Sequence, residues 1–208
     1  MGKKYIETWD KIAEKFEEGK IAHTHPEQEV LLLQEMEVKS SVLDVGCATG
    51  KHTLFLASKG FDATGSDLSE EMVRIAKQKA SKEGSSAKFV VEDATVLTFE
   101  DKSFDYVISF GNTLGSIPGK DERRNALKEM LRVGRKKLIL ELLKSDTVEE
   151  VRSKYTFLGE EESYPAKRWD EEEITEALKT LGYEARIQRG RKSVIADYFF
   201  YVIVDILR

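Results

Sequence analysis

The sequence predicts an α/β fold: a doubly wound, mixed sheet of seven strands with helices on both faces, a C-terminal antiparallel hairpin and N-terminal helices as a cap. Short apolar runs alternate with segments of helical period over residues 41–142, which is typical of parallel strands joined by crossover helices. Two strand-like runs then follow at 183–188 and 194–206. Only RGRKS separates them, which leaves no room for a crossover helix, so antiparallel pairing is expected.

Length and composition favour a single domain, with a helical cap over residues 1–39 and the sheet core over 40–208. With 33 Lys and Arg against 38 Asp and Glu, the net charge of −5 disfavours a dedicated nucleic-acid binder. The single Cys47 excludes an internal disulfide or a multi-cysteine zinc site. The N-terminus has no apolar targeting segment, and Asp197 and Asp205 interrupt the longest apolar run, so a soluble, cytoplasmic protein is expected.

Two helices are predicted before the sheet. The first has an apolar face formed by residues at helical spacing: Tyr5, Trp9, Ile12, Ala13 and Phe16. The second begins near Pro26, a residue that suits a first helical turn. Its expected inward residues are Val30, Leu33 and Met36.

Turn and capping residues divide the core into its elements. Ser69 is the expected N-cap of one helix, and Asp170 with Glu173 makes a capping-box-like start to the last one. Glycines are expected to end several elements. Gly134, for example, directly follows the predicted helix at 121–133. The predicted elements are strands at 41–45, 61–66, 87–91, 104–110, 137–142, 183–188 and 194–206, and helices at 49–58, 70–83, 121–133 and 170–181.

The turn after the first strand, VLDVGCATG at 42–50, carries the main functional signal. Its small residues Gly46, Ala48 and Gly50 would let the backbone approach a ligand closely, and the following helix would present its N-terminal amides. The spacing is not that of a dinucleotide-binding turn. Asp44, two residues before the first glycine, suits a cationic ligand group and would repel a pyrophosphate. A nucleotide-type cofactor other than a dinucleotide is therefore predicted.

This turn resembles motif I of the class I S-adenosylmethionine-dependent methyltransferases, and the chain from about residue 40 onward resembles that family. The resemblance implies a Rossmann-like fold, S-adenosylmethionine as cofactor and S-adenosylhomocysteine as product. It assigns Asp67, 21 residues beyond Gly46, to the ribose hydroxyls. It also assigns Asp93 and the amide of Ala94 to the adenine. The family usually has glycine where Ala48 stands.

The loop after the fourth strand, Ser109 to Asn112, is where the family brings cofactor and substrate together. It lacks the Asn/Asp-Pro-Pro-aromatic tetrapeptide of members that methylate DNA adenine or glutamine, so the resemblance does not point to those substrates. Cys47 is interpreted as a small packing residue. The predicted cofactor-binding residues are Asp44, Gly46, Cys47, Ala48, Gly50, Asp67, Leu68, Met72, Asp93, Ala94, Phe110 and Gly111.

The predicted function is methyl transfer to a small-molecule nucleophile, with no assigned catalytic residue. His23 and His25 could act as a base, but solvated loop histidines are the favoured interpretation, and no metal site is predicted. The acceptor surface is expected from the first 40 residues and from 144–168, which could be a lid or a connecting helix. Two alternatives stay open: a protein that binds S-adenosylmethionine without catalysis, such as a regulatory subunit, and, less favoured, an NAD-dependent oxidoreductase.

Overall fold

The computed structural model of the protein describes residues 3–17, 26–144, 167–189 and 199–207. The described strands are β1 (Ser41–Val45), β2 (Asp62–Asp67), β3 (Lys88–Val91), β4 (Phe104–Ser109), β5 (Gly134–Leu143), β6 (Ala185–Arg189) and β7 (Phe199–Asp205). The described helices are α1 (Lys3–Glu17), α2 (Pro26–Glu35), α3 (Lys51–Ser58), α4 (Glu70–Glu83), α5 (Thr113–Ser116), α6 (Lys120–Val133) and α7 (Glu171–Thr180).

The strands form one seven-stranded sheet in the order β3-β2-β1-β4-β5-β7-β6. The pairs from β3 to β5 are parallel, whereas β7 pairs antiparallel with both β5 and β6. Val202 in β7, for example, lies opposite Leu140 on one side and Ile187 on the other. The predicted fold class and the C-terminal hairpin are confirmed. Residues 194–198 of the last predicted strand lie outside the described residues.

The alternation of side chains along β5 divides the main core into two layers. On one face, Leu138, Leu140 and Leu142 pack with residues of α6 and α7, including Leu127, Met130, Ile174 and Leu178. On the other face, Ile139 packs with residues of α2 and α3, including Leu31, Leu32 and Leu56. Each such side chain contributes roughly 1.5–3 kcal/mol when fully buried. This two-sided burial explains why the strands read as nearly continuous apolar runs.

The predicted inward face of α2 is wrong at two positions. Val30 and Leu33 are 52% and 42% exposed, while Leu31 and Leu32 are buried and only Met36 agrees with the prediction. The segment VLLL places apolar residues on every side of the helix, so its periodicity does not define a face. The buried face also includes a polar residue, Gln28, at helical spacing from Leu31 and Leu32. Because a buried face is expected to be apolar, this glutamine hid the true face from a search for apolar periodicity.

The ends of α4 follow the predicted signals. Ser69 caps α4, accepting a hydrogen bond from the Met72 amide at 3.1 Å, and Gly84 ends the helix in the left-handed region. Asp170 occupies the N-cap position of α7, but its side chain makes no capping hydrogen bond, so the predicted capping box does not form. The four-residue α5 was not predicted because it is too short for periodicity to detect. None of the helices described is long and apolar enough to cross a membrane.

Candidate functional site

The turn after β1 is held against β2 and α5 by close backbone contacts. The amides of Gly46 and Cys47 both donate to the carbonyl oxygen of Ser66, at 2.8 and 3.0 Å. Gly46 has φ +75, and a Cβ there would collide with the side chain of Thr113. The first glycine is therefore required both by the backbone conformation and by the approach of α5.

Asp67, at the carboxyl end of β2, is tied to this turn. Its Oδ2 accepts the amide of Ala48 at 2.9 Å, and its Oδ1 accepts the amide of Ser69 at 3.0 Å. Burial raises the pKa of this half-buried carboxyl against those backbone hydrogen bonds. Ala48 itself has φ +46, a left-handed conformation that explains why glycine suits this position. Two of the predicted cofactor residues are thus brought into direct contact.

Asp44 lies beneath the turn and is only 2% exposed. Its Oδ2 accepts a hydrogen bond of 2.7 Å from the Thr53 hydroxyl. Burial raises the pKa of Asp44 to about 7 against the effect of that hydrogen bond, and the charge of Asp67 adds to the rise. A cationic group placed beside Asp44 would favour the ionised carboxylate and would be bound in return.

Asp93 follows β3 at the same edge of the sheet. Val91, two residues earlier, is the register partner of Asp67. Asp93 Oδ1 accepts hydrogen bonds from the Thr95 amide at 2.9 Å and the Thr95 hydroxyl at 2.7 Å. Ala94 is buried in the core. The three acidic residues predicted from the sequence therefore lie at or just beyond the carboxyl ends of β1, β2 and β3, which form the edge where ligands bind in open α/β sheets.

The helix α1 covers the part of this edge next to α4. Met72 is buried against Ile12 and Ala13 of α1, and the half-buried Ala48 packs against the same cluster. Asp10 accepts hydrogen bonds from the Ser69 hydroxyl at 2.5 Å and from the Glu71 amide, in the first turn of α4, at 3.4 Å. An acidic side chain at a helix N-terminus is favourable, so this contact anchors α1 beside Asp67. Leu68 is half-buried, and the side chain of Phe16 is outside the described residues.

The loop after β4 is fixed by its own polar contacts. Phe110 is buried, and Gly111 and Asn112 have φ +65 and +59. The Asn112 side chain donates to the carbonyl of Lys167 at 3.2 Å and accepts the amide of Leu143 at 3.1 Å. Asn112 therefore joins this loop to the end of β5 and to the segment before α7.

A buried glutamate beside this loop was missed by the sequence reasoning. Glu141, in β5, is 1% exposed and accepts hydrogen bonds from Gln28 at 2.9 and 3.0 Å and from the Gly111 amide at 2.9 Å. The Tyr201 hydroxyl also donates to it, and burial raises the pKa of the Glu141 carboxyl. His52, in the first turn of α3, contacts Gln28 in turn at 3.1 Å. The signal was present: Glu141 is the one charged residue in the apolar run LILELL.

Other predicted features cannot be placed. The described residues do not include the loop histidines His23 and His25, nor residues 145–166 of the expected acceptor surface. The described part of the site therefore consists of the turn after β1, the three acidic residues, the loop after β4, and the polar groups around Glu141.

Comparison with known proteins agrees with this geometry. Residues 42–137 match the family model described as "Methyltransferase domain". The demethylmenaquinone methyltransferase of Staphylococcus epidermidis is 41% identical over 124 residues, which cover 57% of this chain and 46% of that protein. The chain thus spans about half the length of the curated relatives it matches.

Two solved structures extend the similarity over most of the chain. An S-adenosylmethionine-dependent methyltransferase from Methanosarcina mazei superposes with a TM-score of 0.71 at 26% identity, covering 89% of this chain and 99% of that one. Magnesium protoporphyrin IX methyltransferase from Synechocystis, solved with bound S-adenosylhomocysteine, gives a TM-score of 0.69 at 24% identity, covering 86% and 80%, which shows a shared fold. Together with the turn at 42–50 and the sheet order, these matches show a methyltransferase domain over residues 42–137 and support its place among the class I S-adenosylmethionine-dependent methyltransferases.

Proposed function

We propose that this protein binds S-adenosylmethionine at the carboxyl edge of β1, β2 and β3 and catalyses transfer of its methyl group to a small-molecule nucleophile. The observation that carries the proposal is the contact between Ala48 and Asp67, which places a half-buried carboxylate beside the small-residue turn. The twelve cofactor-binding residues predicted from the sequence are part of this proposal.

The chemistry of these residues fits the cofactor. A carboxylate has about four lone-pair sites. The backbone amides of Ala48, Ser69 and Leu68 use up to three of these sites at Asp67, which leaves the carboxylate able to accept at least one ribose hydroxyl. Asp44, whose pKa is raised to about 7, is suited to a cation, and S-adenosylmethionine carries positive charge on its sulfonium and amino groups. Asp93 is at the correct edge to accept a hydrogen bond from an adenine amino group.

The protein's contribution to the reaction is mainly one of position. The bound cofactor supplies a methyl group already activated by the sulfonium, so the chain has to align the acceptor and exclude water. Alignment of this kind lowers a barrier by several kcal/mol, up to roughly 7–11 in well-aligned cases. The Asp67 and Asp44 carboxylates would fix the cofactor at two ends, and α1, as part of the proposed cap over residues 1–39, would shield it from solvent.

A small-molecule acceptor is favoured by the relatives and by the charge. The similar protein from Staphylococcus epidermidis is named for methylation of demethylmenaquinone, and the similar structure from Synechocystis for magnesium protoporphyrin IX. The net charge of −5 provides no overall attraction for a nucleic acid. The buried, unpaired Cys47 is compatible with action in the cytoplasm, which the proposal includes.

The proposal is tested in two steps with the full chain. Calorimetric titration should show binding of S-adenosylmethionine and S-adenosylhomocysteine, with no comparable affinity for NAD. Incubation with methyl-labelled cofactor and a metabolite extract should then give a labelled product that can be identified by mass spectrometry. Binding of NAD alone would refute the cofactor assignment. Tight cofactor binding without turnover in any extract would instead favour a non-catalytic, S-adenosylmethionine-binding protein.

A further inference from the structure

A chain of buried polar side chains connects β5 to the first turn of α3. Glu141 receives hydrogen bonds from the Gln28 amide, the Gly111 amide and the Tyr201 hydroxyl. Gln28, which is itself buried, also contacts His52 Nε2 through its Oε1 at 3.1 Å. The residues linked to Glu141 lie in α2, the loop after β4, β7 and α3, so this hydrogen-bond network forms only when the protein folds.

The direction of each hydrogen bond follows from Glu141. The backbone amide of Gly111 can only donate, and the Tyr201 hydroxyl also donates to this carboxylate, so Glu141 acts as the acceptor. The Gln28 amide group must then point its Nε2 toward Glu141 and its Oε1 toward His52. Because an amide oxygen only accepts, the Nε2 atom of His52 must carry the hydrogen. A neutral imidazole protonated at Nε2 has its lone pair at Nδ1.

The His52 ring borders the loop after β4, which is proposed to face the methyl-transfer site. His52 is two residues beyond Gly50, and its ring packs edge-on against Phe110, with 5.1 Å between ring centroids. The imidazole is half-buried, and within residues 3–17, 26–144, 167–189 and 199–207 its Nδ1 makes no hydrogen bond. The ring therefore lies between the turn after β1 and the loop after β4, the two loops proposed to face the cofactor.

We propose that His52 is a catalytic residue that accepts, at Nδ1, the hydrogen of an O–H methyl acceptor, and that Gln28 and Glu141 are positioning residues that fix its tautomer. This inference rests on the proposed function. In the reaction, the acceptor oxygen forms a bond to the methyl carbon as the carbon–sulfur bond breaks and leaves its electron pair on sulfur. The acceptor's proton passes to Nδ1, and the resulting imidazolium returns it to water.

The surroundings of His52 support an accepting role. Burial, with the charge of the neighbouring Lys51, lowers the pKa of His52 to about 4, so the ring is neutral at pH 7. A base this weak accepts a proton only when methyl transfer has made the acceptor atom strongly acidic, as it does for a hydroxyl oxygen. Glu141, one side chain away, would stabilise the positive charge that develops on the ring during proton transfer. The inferred acceptor class is thus a molecule whose nucleophilic atom carries a hydrogen that becomes strongly acidic on methylation, such as a hydroxyl compound.

The first experiment determines the tautomer without any ligand. Long-range proton–nitrogen correlation spectra of the ¹⁵N-labelled full chain should show His52 neutral with its hydrogen on Nε2; the spectrum of His52→Gln assigns the signal among only three histidines. In Gln28→Met the same signal should shift toward a mixture of tautomers. A hydrogen on Nδ1 in the unaltered protein would overturn the proposal, as would an unchanged tautomer in Gln28→Met.

The second experiment uses two substitutions that divide the functions of the ring. His52→Gln keeps a donor near the Nε2 position and removes the Nδ1 lone pair, whereas His52→Asn keeps an acceptor near the Nδ1 position. With labelled cofactor and the extract above, His52→Gln should lose roughly 10²-fold or more in initial rate, with unchanged affinity for S-adenosylhomocysteine. His52→Asn should retain more activity than His52→Gln. Lys59→Gln, at the exposed end of α3, is the control and should match the unaltered protein.

The outcomes separate this inference from the function on which it rests. Unaltered transfer by His52→Gln overturns the role of His52 and leaves the methyltransferase activity standing. Equal losses of rate and of S-adenosylhomocysteine binding in both variants would show that the histidine only supports the cofactor site. If the unaltered protein binds neither S-adenosylmethionine nor its product, the proposed function fails, and the role of His52 fails with it.

Discussion

The backbone amide of Ala48 donates a hydrogen bond of 2.9 Å to Oδ2 of Asp67, which joins the turn after β1 to the end of β2. The residue proposed to hold the ribose is therefore fixed by the same turn that would face the rest of the cofactor. Two features that are 19 residues apart in the sequence thus form one unit before any ligand binds. Such preorganisation lowers the cost of ordering the site on binding.

Replacement of Asp67 tests this unit. Asp67→Ala removes the charge-assisted hydrogen bonding proposed between this carboxylate and the ribose, and should weaken S-adenosylhomocysteine binding by roughly 2–4 kcal/mol, with Asp67→Glu intermediate. Isothermal titration calorimetry measures the change. Asp62→Asn is the matched control and should bind normally, because Asp62 is on the same strand as Asp67 but makes only an exposed ion pair with Lys88 of β3. Unchanged affinity in a folded Asp67→Ala protein would show that this carboxylate serves only the turn.

The turn also predicts a difference between two glycines. Gly46→Ala should destabilise the protein by more than the roughly 1–2 kcal/mol of left-handed strain, because the new Cβ also collides with Thr113. Gly60→Ala, at φ +87 with open space around it, should show the strain alone. Urea denaturation of both variants gives the comparison. Equal losses would mean that α5 moves away from the turn without cost.

The raised pKa of Asp44 predicts a specific dependence of stability on pH. The folded pKa of about 7 lies above the ordinary value of 3.8, so Asp44 contributes stability that is complete below about pH 3.8 and is lost as the pH rises to about 7. The loss is about 1.4 kcal/mol per pH unit, or on the order of 3 kcal/mol between about pH 5 and pH 8.

Asp44→Asn isolates this contribution, because an asparagine oxygen can still accept the Thr53 hydroxyl hydrogen bond. The free energy of unfolding, measured in urea across this pH range without cofactor, should fall more steeply in the unaltered protein than in Asp44→Asn. Parallel pH profiles would contradict the assignment. Since a bound cation favours the ionised form, S-adenosylmethionine should also reduce the difference between the two profiles at high pH.

Removal of α1 should separate folding from cofactor binding. The two large core clusters contain no residue of α1, so a chain lacking residues 2–17 should keep a folded sheet. It should bind S-adenosylhomocysteine more weakly, because Met72 and Ala48 lose their cover and Asp10 no longer caps α4. Circular dichroism and calorimetry test the two parts. Full-length affinity in the shortened chain would make α1 a structural appendage.

Hydrogen exchange provides the complementary measurement on the intact chain. In the cofactor-free protein, the amides of α1 should lose protection before those of β1 or β4, because α1 packs through one small cluster whereas the strands are paired on both sides. Addition of S-adenosylhomocysteine should slow the exchange of α1. Exchange of α1 at the rate of the central strands would contradict the role of this helix as a separable cover.

The sequence predicted best what depends on neighbouring residues. The Ser69 cap, the glycine turns and the mixed sheet with its C-terminal antiparallel hairpin follow from local patterns and from general rules of α/β connection. The face of α2 was predicted wrongly because Gln28 is polar, and its burial is explained only by Glu141, 113 residues away in the sequence. Local periodicity contains no information about such a pair. The same holds for His52, whose tautomer depends on both.

The position of β7 has a consequence for the order in which the protein can assemble. β5 and β6 are joined to each other only through β7, which is the last of the described strands in the chain. During synthesis, the open edge of β5 must therefore wait for residues 199–205, and β6 has no place in the sheet until they arrive. An unpaired, apolar strand edge is a site of aggregation. A chain that ends between β6 and β7 would thus expose the apolar edge of β5 and is expected to aggregate.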